Sequence, residues 1–492
     1  MMKYISTRGG GGEYTAAQAI LQGIAPDKGL FVPVAIPSLP VAPDDLMGKP
    51  YAEIAKMVLS QFFDDFTEAE IDACVAGAYT GTFEAEEIVP LREAGDAWFL
   101  ELYHGRTAAF KDMALSILPY LMTTAMKKEQ VEQKICILAA TSGDTGKAAL
   151  AGFADVPGTE IVVFYPEDGV SQVQKQQMIT QEGDNTHVFA IRGNFDDAQT
   201  GVKRIFADDA FAATLESSGV RLSSANSINI GRLVPQVAYY VYAYAKMRES
   251  GAIGAGQPMH VVVPTGNFGN ILAAYYAKEM GVPIGRFLCA SNENNVLTDF
   301  LQTGEYNIRR EFFLTTSPSM DILISSNLER LLFHLSGQDA GQVKALMESL
   351  DQNKQYQIPA VMQERLQEFY GGWTSAKETA SAIGDLYQNQ GYLMDTHTAV
   401  AYRVYETFRA ETQDQTPAVI ASTASPYKFA DSVLAAIGEP AQADGFQAVK
   451  ALAAKTGVPI PVGLRDLDRK PVRHRAVIDR ADMMTAVQRS VE

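Results

Sequence analysis

A single lysine lies in an apolar segment just before a predicted helix. The segment runs from His104 to Leu115 with the sequence HGRTAAFKDMAL, and it contains Lys111. Burial lowers the pKa of a lysine because it disfavours the ammonium form. A neutral amine near pH 7 can form a Schiff base with a carbonyl group, including that of a pyridoxal cofactor. Lys111 is therefore a candidate nucleophile, and the alternative is a surface lysine whose aliphatic stem covers apolar neighbours.

The sequence PTGNFGN at 264–270 has the composition of an anion-binding loop. It follows an apolar run and precedes a helical pattern, and helix N-termini at the ends of parallel strands attract anions. Gly266 and Gly269 allow backbone N–H groups to converge on one phosphate, whereas the absence of GxGxxG disfavours a dinucleotide. The alternative is an ordinary turn between a strand and a helix.

Two other loops carry hydroxyl groups. Thr141–Gly146, with the sequence TSGDTG, resembles a P-loop only superficially, because Thr141 replaces the first glycine and Ala148 replaces the magnesium-binding Ser or Thr. Its polar groups suit a small polar substrate, although helix capping alone explains them. Ser422 and Thr423 follow an apolar run, and a hydroxyl there could bond a ring nitrogen or cap a helix.

The elements that must position these loops alternate between predicted strands and predicted helices. Short apolar runs alternate with polar loops and helical patterns from about residue 130 onward. Runs that are apolar nearly throughout are typical of parallel sheets covered on both faces. We predict an α/β protein with two open parallel-sheet domains and an accessory N-terminal region. The predicted parts are residues 1–95 (accessory), 96–130 with 230–492 (large domain) and 131–229 (small, substrate-side domain).

Composition excludes several classes of function. The 492 residues exceed what a single core usually holds. The formal net charge of −17 opposes binding to nucleic acid or to an anionic membrane. No signal-peptide core or membrane-length apolar run is present, so we expect a cytoplasmic protein. The three cysteines lack CxxC spacing and the six histidines lack HExxH, which indicates neither disulfides nor a metal site.

The motifs together resemble the threonine synthase family, whose members are pyridoxal-phosphate enzymes of fold type II, the fold of the tryptophan synthase β-subunit. The resemblance covers most of the chain and follows the family's order of motifs. The motifs are 2–9, 22–33, 104–112, 141–146, 226–229, 264–270, 317–330, 395–399 and 422–424.

The resemblance implies a reaction and assigns residues to it. O-phospho-L-homoserine and water would give L-threonine and phosphate, with pyridoxal phosphate as cofactor and the protein a monomer or homodimer. Lys111 would form the Schiff base and move protons between carbon atoms, and Thr423, or else Ser422, would bond the pyridine nitrogen. The cofactor phosphate would bind Gly266, Asn267, Phe268, Gly269 and Asn270. Substrate contacts are predicted for Thr141, Ser142, Asp144, Thr145, Asn229 and Arg232.

Three positions depart from the family pattern. Arg106 stands where proline is usual, Lys147 where a small residue is common, and Asn270 where the longer branch has aspartate. Arg106 and Lys147 add positive charge beside the site. The alternative function within the family is a phospho-lyase, which would release a 2-oxo acid, phosphate and ammonia. A binding protein without activity is a further alternative.

Overall fold

Two separate sheets organise the chain. The structure is a computed structural model that describes residues 1–141, 143–168 and 170–492, apart from the side chain of Asp196. The strands are β1 (Tyr4–Ser6), β2 (Phe31–Pro33), β3 (Leu91–Ala94), β4 (Ala97–Glu101), β5 (Lys134–Ala140), β6 (Thr159–Pro166), β7 (Thr186–Ile191), β8 (Val220–Ser223), β9 (Met259–Pro264), β10 (Ile284–Ser291), β11 (Glu305–Asn307), β12 (Gln355–Gln357), β13 (Phe369–Trp373), β14 (Ala418–Ser422) and β15 (Val477–Ile478).

Helices cover both faces of each sheet. They are α1 (Ala16–Gln22), α2 (Tyr51–Phe62), α3 (Glu68–Tyr79), α4 (Asp112–Leu115), α5 (Leu118–Lys128), α6 (Asp144–Phe153), α7 (Gln172–Ile179), α8 (Phe195–Phe206), α9 (Asp209–Ser217), α10 (Ile230–Leu233), α11 (Pro235–Glu249), α12 (Gly269–Glu279), α13 (Val296–Thr303), α14 (Leu328–Leu335), α15 (Ala340–Asn353), α16 (Ala360–Arg365), α17 (Ala376–Gln390), α18 (Thr396–Thr412), α19 (Ala430–Ala436), α20 (Gly445–Thr456) and α21 (Met483–Val491).

The larger sheet has the strand order β13-β10-β9-β14-β4-β3. Its strands are parallel except β3, which pairs antiparallel with β4 as a hairpin. β9 and β14 are buried at every residue, as expected for central strands with helices on both faces. One apolar core joins its inner face to α2, α3, α11 and α12, and a second core lies under α17–α20. The predicted fold class is confirmed.

The smaller sheet is parallel, with the order β15-β7-β6-β5-β8. Its outer face is covered by a separate core that includes Met483 and Val487 of α21. The end of the chain therefore packs on this sheet, whereas the domain division predicted from the sequence placed it with the large domain. β15 contains two residues and pairs Val477 with Ala190, so no apolar run in the sequence marks it as a strand.

The N-terminal region packs on the large domain. β1 and β2 form a two-stranded antiparallel pair, and α2 lies against α11 while α1 lies against α5. β3 belongs to the larger sheet, although the predicted boundary put it in this accessory region. Among the described residues, no helix is both long and apolar enough to cross a membrane.

Candidate active site

Lys111 ends the loop between β4 and α4, and this loop is fixed by the loop that follows β14. Phe110 N–H donates to the Thr423 carbonyl oxygen at 2.8 Å, and Ser425 N–H donates to the Ala108 carbonyl oxygen at 3.0 Å. Ala108 has a φ of 57°, a backbone conformation that is uncommon for residues other than glycine. The pairing between the two loops holds this conformation and sets the position of the lysine.

The Lys111 amine is buried among polar groups. The residue is 9% exposed, and Nζ lies 3.4 Å from Ser319 Oγ and 3.6 Å from Asp144 Oδ2. Burial lowers the pKa of this amine because it disfavours the ammonium form; Asp144 opposes that effect, and nearby Lys428 adds to it. These surroundings favour the neutral form that a nucleophile or a general base needs.

Asp144 is shared by two lysines. Its Oδ1 lies 2.5 Å from Lys428 Nζ and accepts a hydrogen bond from Gln174 Nε2 at 2.8 Å. Burial acts to raise the pKa of Asp144, but the ammonium groups of Lys428 and Lys111 outweigh it and hold the pKa well below its usual range. Lys428 is 2% exposed. Sequence reasoning did not assign Lys428 to the site, although it lies in the loop that contains Thr423.

The loop after β9 presents free backbone N–H groups. α12 begins at Gly269 after Phe268, which has a left-handed φ of 61°. Within the described residues, the N–H groups from 266 to 271 donate to no protein acceptor. The carbonyl oxygens of Gly266 and Asn267 are occupied, because they accept hydrogen bonds from Ser325 Oγ at 2.6 Å and from Asn327 N–H at 3.1 Å. This arrangement fits an anion such as a phosphate group.

Asn270 adds a second observation at the same helix start. Its Oδ1 accepts hydrogen bonds from the hydroxyls of Tyr239, at 2.9 Å, and Tyr240. Its Nδ2 is buried and has no partner among the described residues. An unsatisfied buried donor costs about 1–3 kcal/mol, and an anion bound at the helix start would satisfy it. The residues of this loop therefore fit the phosphate of a bound cofactor.

Ser319 connects this loop with the lysine. A Cβ at position 266 would lie 2.4 Å from the Ser319 carbonyl oxygen, so only glycine fits there. Ser319 N–H donates to His397 Nε2 at 3.2 Å, and His397 Nδ1 lies 2.8 Å from Asp395 Oδ1. The sequence motifs contain Ser319 and His397, but spacing alone did not assign either residue to the site.

The two hydroxyls predicted at the ring nitrogen differ in their surroundings. Ser422 Oγ lies 3.2 Å from Thr398 Oγ1. Thr423 is 6% exposed, and its hydroxyl makes no hydrogen bond to any residue that the structure describes. Thr423 is thus the freer of the two to bond a ligand.

The residues predicted to contact substrate fall into two groups. Asp144 lies at the lysine, as described above. Thr141 Oγ1 accepts from the N–H groups of Gly143 and Gly146, each at 3.0 Å, so it shapes its loop. Thr145 is half-buried on the first turn of α6, and Ser142 lies outside the described residues.

Asn229 and Arg232 lie at the short helix α10. Asn229 Oδ1 accepts from Gly231 N–H at 2.9 Å, and its Nδ2 donates to the Ile20 carbonyl oxygen at 2.9 Å. Arg232 is buried, and Nη1 donates to the Ala225 carbonyl oxygen at 2.9 Å. Burial lowers the pKa of Arg232 to about 10. Of the residues that the structure describes, no three His, Cys, Asp or Glu side chains are grouped to hold a metal ion.

The fold and this site define a class that the comparisons identify. A family model described as "Pyridoxal-phosphate dependent enzyme" matches residues 78–423, so the chain falls in the class of pyridoxal-phosphate-dependent enzymes. Models of the threonine synthase N terminus and C-terminal regions match residues 3–79 and 398–489. The chain belongs to the threonine synthase family.

Relatives and solved structures agree with this assignment. Threonine synthase-like 1 of Homo sapiens is 42% identical over 86% of this chain, and the aligned part spans only 58% of that longer protein. Threonine synthase of Pseudomonas aeruginosa is 38% identical, over 88% of this chain and 90% of its own length. The crystal structure of pyridoxal-phosphate-bound threonine synthase from Brucella melitensis matches with a TM-score of 0.89 and 36% identity, over 100% of both chains.

Proposed function

We propose that the protein is a threonine synthase that converts O-phospho-L-homoserine and water to L-threonine and phosphate, with pyridoxal phosphate as its cofactor. The observation that carries the proposal is the buried Lys111 amine, which Ser319 connects to a loop of free backbone N–H groups. The relative from Pseudomonas aeruginosa, which bears the name threonine synthase and aligns over 90% of its length, supports the same reaction.

Three parts of the chain would hold the cofactor. The N–H groups of 266–271 and Asn270 Nδ2 would bind its phosphate, Lys111 Nζ would bond its carbonyl carbon, and Thr423 Oγ1 would face its ring nitrogen. The bound cofactor supplies an electron sink for the substrate carbons. A neutral hydroxyl at the ring nitrogen leaves that nitrogen largely unprotonated, which suits elimination and replacement better than transamination.

Lys111 would also move the protons. When it is not bonded to the cofactor, Lys111 Nζ would accept a proton from one substrate carbon and deliver it to a neighbouring one. The role is favoured when the ammonium form is destabilised, and burial acts in that direction by lowering the pKa of Lys111. Asp144 remains ionised because Lys428 neutralises it, so it can stabilise Lys111 whenever that amine carries the proton.

Arg232 would bind an anionic group of the substrate. One of its N–H groups bonds the Ala225 carbonyl oxygen, and no carboxylate among the described residues pairs with the guanidinium. A buried, unpaired guanidinium favours a carboxylate or phosphate ligand, which it can bind through two parallel hydrogen bonds. Asn229, whose side chain caps the same helix, would act as a positioning residue for Arg232.

The decisive experiment incubates the purified protein with O-phospho-L-homoserine, with and without added pyridoxal phosphate. Threonine and 2-oxobutyrate are measured by chromatography for the wild type, Lys111→Ala and the control Lys344→Ala, whose side chain is 60% exposed. We expect threonine from the wild type and the control and none from Lys111→Ala. Production of 2-oxobutyrate without threonine would refute the proposal and identify a phospho-lyase.

Two further properties belong to the proposal. We place the reaction in the cytoplasm, because all three cysteines are free and buried, as is usual in a reducing compartment. The functional unit is a monomer or homodimer, which sedimentation velocity of the cofactor-loaded protein would distinguish.

A further inference from the structure

A second group of cationic side chains surrounds a cavity of about 120 Å³. The cavity lies between the Lys111 loop, α6, the end of α7 and the segment 463–470. Its lining residues are Arg106, Lys147, Thr180, Gln181, Glu182, Gly463, Leu467 and Lys470. By the same measure of volume one water needs at least about 10–15 Å³, so the cavity has room for a tetrahedral oxyanion.

The cavity has more positive than negative charge. Arg106, Lys147 and Lys470 line the cavity together with one carboxylate, that of Glu182, and the Asp112 carboxylate is close enough to act on the pKa of Lys147. Arg106 Nη1 bonds only the Ala151 carbonyl oxygen, at 3.3 Å, and Lys147 Nζ bonds the neutral Gln181 Oε1; none of the three cations forms an ion pair with a described residue. The three cations outnumber these two carboxylates and repel one another, and a bound anion would reduce that cost.

The pKa of the Lys147 amine is affected by burial and by the neighbouring positive charge. Burial, and after it the charge of Lys470, lowers its pKa to about 7. Lys147 follows Asp144 by three residues on α6, so the two side chains are neighbours on one helix face. The cavity therefore lies about one helical turn from the Asp144 carboxylate that faces Lys111.

The wall formed by 463–470 is closely fitted to the Lys111 loop. A Cβ at position 463 would lie 2.1 Å from the Arg106 carbonyl oxygen, so glycine is required for the segment to approach so closely. Two buried polar residues, Thr180 and Gln181, complete the wall. Packed backbone thus forms walls of the cavity, which is partly open to solvent because Arg106 and Lys470 are exposed.

We propose that this cavity binds a tetrahedral oxyanion of the phosphate type, at a site separate from the loop 264–270. The anion has two sources, free inorganic phosphate and the phosphoryl group of a substrate, and the second source rests on the proposed function. In either case Arg106, Lys147 and Lys470 supply the positive charge.

Binding is tested on the cofactor-loaded protein without substrate. Calorimetric titration with inorganic phosphate compares the wild type with Lys147→Met, Lys470→Met and the control Lys344→Met. We expect each cavity variant to weaken phosphate binding at least tenfold and the control to match the wild type. Lys470 is exposed, so its variant keeps the test valid if Lys147→Met fails to fold. Equal affinity in Lys470→Met and the wild type would overturn the proposal.

Crystallography determines where the anion binds, and kinetics determines whether it is free phosphate or the phosphoryl group of the substrate. An anomalous difference peak for soaked arsenate beside Lys147 Nζ is expected, and arsenate bound elsewhere with none in the cavity would overturn the proposal. A raised KM for O-phospho-L-homoserine in Lys470→Met, with kcat unchanged, assigns the cavity to the substrate phosphoryl group. An unchanged KM with weakened phosphate binding assigns it to free phosphate. An inactive protein would refute the proposed function and leave the binding test intact.

Discussion

Replacing Lys428 by methionine removes one of the two ammonium groups that share Asp144. Methionine has a similar length and fills the same buried space, so the principal change is the loss of one positive charge. Asp144 then has only Lys111 as a cationic partner. We expect the pKa of the Lys111 amine to rise, because a repelling neighbour is lost and its carboxylate partner is no longer shared.

The size of this effect follows from the geometry. Asp144 Oδ1 lies 2.5 Å from Lys428 Nζ and Oδ2 lies 3.6 Å from Lys111 Nζ. With the width of the carboxylate included, the two amines are at most about 8 Å apart, where unit charges at an effective dielectric constant of about 20 interact with about 2 kcal/mol. Removing this repulsion favours the ammonium form, so the pKa of Lys111 rises. We also expect the variant to lose about 3–5 kcal/mol of folding free energy, because a buried ion pair is broken.

Competitive labelling of the cofactor-free protein with acetic anhydride measures the result. The reactivity of the Lys111 peptide is followed against pH by mass spectrometry, for the wild type, Lys428→Met, Lys428→Arg and the control Lys450→Met. Lys428→Arg retains the charge and should leave the Lys111 pKa near its wild-type value. Circular dichroism at low temperature verifies that each variant is folded. If folded Lys428→Met shows the wild-type Lys111 pKa, the electrostatic reasoning is refuted.

Three further predictions concern other parts of the chain. In Gly266→Ala the added Cβ meets the Ser319 carbonyl oxygen at 2.4 Å, so pyridoxal phosphate should bind at least tenfold more weakly by fluorescence titration; unchanged affinity would contradict the fit. Arg232→Gln should raise KM about 10–100-fold, from the loss of a charged hydrogen bond, while cofactor absorbance stays normal; an unchanged KM would exclude Arg232 from substrate binding. Burial lowers the pKa of His334 to about 4, whereas in the unfolded chain this pKa is near 6.5. Between these two pH values the unfolded state binds more protons than the folded state, so the folding stability falls as the pH drops. The wild type should lose about 2 kcal/mol of folding free energy from pH 7 to pH 5. Urea unfolding of His334→Gln should not show this loss, and an equal loss in the variant would refute the assignment to His334.

The sequence predicted the strands and loops that have a local signature. Apolar runs mark β5, β9 and β14, and glycine with hydroxyl residues marks the loops that follow them. Lys428 and Ser319 carried no such signature, because each reaches the site through contacts that span long stretches of chain. Ser319 approaches Lys111 across 208 residues, and Lys428 meets Thr107 across 321. Residue types and spacing do not encode such proximity.

The side chains of some predicted site residues also have structural contacts. The resemblance implied a substrate contact for Asn229, and the structure shows that its amide caps α10 and donates to the Ile20 carbonyl oxygen. Capping and ligand binding use the same residue types at helix starts, so sequence alone cannot separate them. The departures Arg106 and Lys147 were predicted to add positive charge beside the site, and the structure puts both of them around one cavity.

The position of β15 and α21 has a consequence for synthesis of the chain. Ala190 and Ile191 at one edge of the smaller sheet are paired by Val477 and Ile478, which follow every strand of the larger sheet in the chain and are therefore synthesised after them. Until then β7 is an unpaired edge, and the apolar surface that Met483 and Val487 cover is open. Exposed edges and apolar surface make a nascent chain prone to aggregation. The smaller sheet therefore gains its last strand only after all strands of the larger sheet have been synthesised.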